Sequence, residues 1–177
     1  MNPMELLDRL TEIAYEMASK KLITTKDELL SMFLLYKGTG QVDVIGCPWH
    51  NDQDKQDAVR EVGLHMIRSN DPIQAYSLLS ECWTSNYTLG EALRADRPEH
   101  DPKRQECVIC LASDGQEHRF HTWKIGRDRH GFCVSLSGGA NQGQQQKSWM
   151  IEALDKAMEM RDHMEAMKKE IMDGTGS

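Results

Sequence analysis

What this chain lacks bounds it before any motif is read. No apolar stretch approaches the ~20 residues of a bilayer-spanning helix, and Glu5, Asp8, Arg9 and Glu12 interrupt the N-terminal apolar residues where a secretory signal would be continuous. The expectation is a cytoplasmic protein with no membrane partner. Basic residues are in deficit, 21 Lys and Arg against 28 Asp and Glu for a formal charge of -7, so the positive footprint required by phosphate backbones is missing and nucleic acid is not the expected partner. The five cysteines are an odd number without framework spacing, which in a reducing compartment reads as free thiols. No Pro/Ser-rich linker divides the 177 residues, a length that supports one domain with its own core. Catalytic and nucleotide-binding signatures are absent: there is no P-loop, Gly-x-Gly-x-x-Gly, Gly-x-Ser-x-Gly or His-Glu-x-x-His. Gly38-Thr39-Gly40 and Gly138-Gly139 are too short to cradle a phosphate. No cofactor is expected.

What is present reads as alternating elements. Asn2 as N-cap and Pro3 at the first helical position open a helix to about Lys20, with Leu6, Leu10, Ile13 and Met17 on its apolar face. The apolar run Leu29 to Tyr36, the turn Gly38-Thr39-Gly40 and the segment Gln41 to Ile45 read as two strands. Asn51 caps a second helix carrying Val59, Val62 and Met66, which ends at Asn70-Asp71-Pro72. Ile73 to Trp83 is a strand whose alternation puts Leu79, Glu81 and Trp83 on one face. Residues 84–104 form a polar excursion. Gln105 to Ser113 and Gln116 to Gly126 flank Asp114-Gly115, read as a two-residue hairpin turn, and Phe132 to Leu136 adds a short strand. A Gly/Gln-rich connector, 137–147, leads to a helix from about Ser148 to Met172.

The order helix, two strands, helix, four strands, helix implies an α+β domain with a mainly antiparallel sheet and packed helices. This order is like the profilin-like and roadblock-type layouts with one extra strand. The domain is expected over 1–147, with the C-terminal amphipathic helix at 148–173 packed on it or on a second chain.

Three cysteine and histidine pairs have the spacing of metal ligands: Cys47-x-x-His50, Cys107-x-x-Cys110 and His118-x-x-His121. Residues three apart on a strand point to opposite faces, so neither Cys107 with Cys110 nor the two histidines can share an ion without a bulge, and no metal is expected. With a two-residue turn, Leu111 faces His118, Cys110 faces Arg119 and Val108 faces His121. Cys110 and His121 are then diagonal neighbours on one face, within reach for a thiol nucleophile and its base.

Ser80-Glu81-Cys82-Trp83, then Arg97-Pro98-Glu99-His100-Asp101-Pro102-Lys103-Arg104-Gln105-Glu106, then Ile125-Gly126-Arg127 make one further pattern. It is similar to the E-x-W, P-x-x-x-P-x-R-x-E and I-x-R pattern of a family of small proteins encoded by bacteriophages and prophages. The likeness covers roughly residues 30–136 and includes Gly46-Cys47-Pro48-Trp49. Family members have no established activity, so the resemblance implies a viral setting and the host cytoplasm rather than a reaction. Physically, Arg104 is placed to pair with Glu81 or Asp101, and Pro102 to aim Arg104 and Glu106 at the end of the preceding strand. A structural lock is the favoured reading.

Two functions are carried forward. The first is a non-enzymatic phage or prophage accessory protein that binds a host or phage protein. Met150, Met160, Met164, Met167 and Ile171 lie on a heptad seam, together with Ala153 and Ala157, that also suits a homodimer. The alternative is a small hydrolase or thiol-dependent enzyme using Glu81, Arg104, Glu106, Cys110 and His121.

Overall fold

The computed structural model describes residues 3–84, 104–140 and 148–174. Within them the chain runs α1 (Pro3–Leu22), β1 (Met32–Lys37), β2 (Val42–Gly46), α2 (Asp52–Arg68), β3 (Ile73–Thr84), β4 (Gln105–Ser113), β5 (His118–Arg127), β6 (Cys133–Ala140) and α3 (Trp149–Gly174). The strands form one antiparallel sheet in the order β2-β1-β3-β4-β5-β6. This is the α+β architecture expected from the element order.

Alternation on the strands sorts the core into two layers. Leu34, Leu79, Val108 and Trp123 face α1, which buries Leu6, Leu7, Leu10 and Ala14 against them. Phe33, Leu35, Tyr76 and Leu78 point the other way, against Val59, Val62 and Met66 of α2 and Ile151, Leu154 and Met158 of α3. The middle strand β3 is covered on both faces, which is why its sequence is apolar at both parities. Asn51 caps α2 by accepting from the Asp54 amide at 2.9 Å.

The C-terminal helix is tied to the sheet by a buried polar knot. Tyr76 Oη and Ser113 Oγ each donate to Asp155 Oδ1 at 2.8 Å, and His118 Nε2 lies 3.0 Å from Oδ2. The helix beginning at Trp149 is therefore part of the domain's second layer.

Four expectations need correction. The β4–β5 connection is four residues long, because the Asp114 carboxylate captures the amides of both Gln116 and Glu117 and carries the turn past Gly115. Ser113 consequently pairs with His118, Leu111 with Phe120 and Cys110 with His121. A slip of two residues preserves every face, so the sorting of side chains holds while the partners change. The first strand starts at Met32 rather than Leu29, since the Leu29 amide is drawn to Glu81. The last strand extends to Ala140, taking Gly138 and Gly139 into pairing with Trp123 and Thr122, so the first residues of the supposed connector are sheet.

Candidate functional site

At the end of the sheet where β3 finishes and β4 begins, a cleft of about 700 Å³ opens between the segment after α1, the Cys47–His50 turn and the strand ends. Its floor is a charged cluster. Register places Trp83 opposite Glu106 and Glu81 opposite Val108, and alternation turns Glu81, Glu106 and Arg127 to the α1 face just beyond the apolar core.

Arg127 forks onto Glu106, with Nε 2.8 Å from Oε2 and Nη2 bonded to Oε1, while Nη1 donates to the Gly131 carbonyl at 3.2 Å. This bidentate pair holds the Glu106 carboxyl below its ordinary value. Glu81 is served less well: Oε2 accepts from the Leu29 amide at 2.9 Å, and Oε1 is 3.8 Å from Arg127 Nη2. Burial, reinforced by the adjoining Glu106, pushes Glu81 up to about 7. The two carboxyls behave as a pair that shares one proton near neutrality, with the fixed charge on Glu106.

The cleft walls are aromatic and polar. Trp83 remains 41% exposed and carries the Arg104 guanidinium 4.2 Å above its ring centre. Trp49 packs edge-on against Phe33, and Ser31 and Ser80 join hydroxyls at 2.7 Å. His50 and Cys82 also line the cleft, the Cys82 thiol pushed up to about 11 by burial.

Glu81, Arg104 and Glu106 are thus brought to one place, as the sequence pattern expects, but the cation set against both carboxylates is Arg127. It stands in the Ile125-Gly126-Arg127 motif, whose spacing by itself points to no partner. An arginine closing a strand two registers from paired glutamates was the available signal. Asp101, Pro102 and the rest of the 97–103 stretch lie outside the described residues.

Cys110 and His121 meet directly across β4 and β5, but inside the α1 layer. Burial pushes the Cys110 thiol up to about 12 and pulls the His121 imidazole down, both away from a thiolate–imidazolium pair. His121 stacks on Trp123 at 5.8 Å, and its Nε2 is buried without a hydrogen-bond partner. Cys107 and Cys110 point to opposite faces, Cys47 sits in the α2 layer donating to the Ile45 carbonyl, and the His50 amide donates to Asp54. Among the described residues no three His, Cys, Asp or Glu side chains are grouped to hold a metal ion.

Compared with known proteins, the chain matches no family model, no curated protein and no solved structure.

The last candidates lie on α3, and here the geometry departs from the heptad reading. The stripe facing the domain is Ile151, Leu154, Met158 and Arg161, one residue out of step with the methionine seam. Met150 is half-buried, and Ala157 is covered by α2. Met160, Met164, Met167 and Ile171 all face solvent, and from Asp162 to Met172 every residue is exposed. No α1–α3 pairing is available to cover the seam, because the two helices occupy opposite faces of the sheet.

Proposed function

We propose that the chain works by protein–protein contact rather than catalysis, through the distal half of α3. The observation that carries this reading is the run Met160, Met164, Met167, Ile171. It keeps heptad spacing over about 17 Å of helix, at 1.5 Å per residue, with all four side chains exposed. A helix stub of this length is marginal in water unless its apolar face is packed. The occupant we assign is the same segment of a second chain. A two-fold antiparallel pair sets 160 against 171 and 164 against 167, covering the whole seam with nothing left over.

The likeness to phage and prophage proteins supports an accessory role in that setting, with the paired helices as the platform for a host or phage protein. A hydrolase reading of the Glu81 cleft is less well supported, because the Arg127 fork already occupies both oxygens of Glu106, the carboxylate beside Glu81.

Light scattering on the full chain tests the assignment. The expected result is a dimer that becomes a monomer in the Met164→Glu/Met167→Glu variant. A wild-type chain that stays monomeric at high concentration removes the second copy as occupant.

A further inference from the structure

The cleft at the end of β3, β4 and β5 holds a second site, independent of α3. We propose that it binds a guanidinium group, most simply the arginine side chain of a partner peptide, with the Glu81 carboxylate as its acceptor and Trp83 and Trp49 as its walls.

Which charged group is left with room for a partner sets the sign of the ligand. Glu28, Glu81 and Glu106 face Lys26 and Arg127, and Arg104 stands over Trp83 at the lip. Arg127 is consumed by Glu106 and the Gly131 carbonyl, and Lys26 Nζ sits 4.7 Å over the Phe132 ring. Neither of these cations is free to receive an anion. Among the described residues Glu81 is the group served least, with the Leu29 amide as its close donor, a side-chain hydrogen bond shared with Glu106, and Arg127 Nη2 3.8 Å away. Among the described residues the same neighbours, with Arg104 over Trp83, Cys82 on its own strand and His50 across the cleft, are the titratable and charged groups that face it. Toward neutrality a proton supplies the missing positive charge. A ligand cation supplies it better, because it brings several donors in the planar fork that matches a carboxylate.

The walls favour guanidinium over a compact ammonium. Trp83 accepts the Arg104 guanidinium 4.2 Å from its ring centre, so an indole in this cleft takes a guanidinium in cation–π contact. Trp49 adds a second indole to the lining, together with the hydrogen-bonded Ser31 and Ser80 hydroxyls. A cleft of about 700 Å³ has room for an arginine side chain and its flanking backbone.

Binding is linked to a proton. Below the midpoint of the Glu81–Glu106 pair, the incoming cation must displace a proton, so affinity falls about tenfold for each pH unit and is level above that midpoint.

Butylguanidinium titrated into the full chain and followed by amide and indole NMR shifts is the test. The expected result is saturable movement of the Trp49 and Trp83 indole signals and of the Leu29 amide. The response should weaken on acidification as above, be lost in Glu81→Gln and be reduced in Trp83→Leu. It should persist in Met164→Glu/Met167→Glu, which separates this site from the helix seam. Absence of saturation, binding to Glu81→Gln as strong as to wild type, or a matching response to acetate would overturn the proposal. If Glu81→Gln does not fold, the pH dependence in the wild-type chain decides alone: pH-independent binding sinks it.

Discussion

Glu81 and Glu106 are the same residue type on adjacent strands, and their surroundings drive them apart. Glu106 has the guanidinium fork of Arg127, so it stays ionised below the ordinary carboxylate value. Glu81 has burial and a neighbouring negative charge, so it holds a proton toward neutrality. Stability follows from the sign of each shift. Between the ordinary carboxylate value and about 7 the folded chain keeps a proton on the pair that the unfolded chain has released, so stability falls as pH rises through that window and is flat above it. Glu106 acts in the opposite sense: the stability it confers is present above the ordinary carboxylate value and is lost as pH drops through its depressed one. Glu81→Gln should therefore melt higher than wild type at about pH 8 and match it near the ordinary carboxylate value, where both side chains are neutral. Thermal melts across the range check this, and a difference that does not change with pH contradicts it. Arg127→Ala strips the partner from a largely buried carboxylate and should cost roughly 2 to 3 kcal/mol by urea denaturation at neutral pH, with less loss once Glu106 is protonated. Arg104→Ala, which removes a stacking cation from a partly exposed tryptophan, should cost less, about 0.5 to 1 kcal/mol.

At the level of elements, α3 carries two patterns one residue apart, and each has its own consequence. Ile151, Leu154 and Met158 seal the second layer, and Asp155 between them collects hydrogen bonds from Tyr76 and Ser113 and pairs with His118. Asp155→Ala would leave the buried Ser113 hydroxyl without its acceptor and Tyr76 with the Ile151 carbonyl at 3.1 Å in place of a carboxylate, and should destabilise the fold by about 1 to 3 kcal/mol. Met164→Glu and Met167→Glu lie beyond that contact and should shift monomer stability by no more than ~0.5 kcal/mol while abolishing pairing. Chemical denaturation of both sets distinguishes anchor from seam: equal losses would mean that the distal helix also packs on its own domain. The β4–β5 hairpin shows a similar division. Its strands and the faces of its side chains were legible because alternation has a period of two, whereas the turn length was not, because the Asp114 side chain competes with a tight turn for the same amides.

For the whole molecule, helix positions, strand order in the sequence and the α+β class were set by local signals: the cap at Asn51, the breaks at Gly38 and Pro72, and the 3.6 and 2.0 residue periods. Those signals act over a few residues, and so they read directly from the chain. The sequence also brought Glu81, Arg104 and Glu106 under suspicion, since charged residues at strand ends stand out against an apolar run. Tertiary structure alone decided that α1 lies on one face of the sheet and α2 and α3 on the other, because either face of a doubly apolar strand such as β3 accepts a helix equally well. It alone decided that Arg127, 46 positions after Glu81 in the chain, is the cation of the cluster, because three strands must pair in register before those side chains meet. It also decided which of two adjacent stripes on α3 is buried. A heptad seam and a domain-facing stripe look alike in one dimension, and only the docking of Asp155 onto Tyr76 and Ser113 fixes the rotation of the helix and leaves the methionines in solvent.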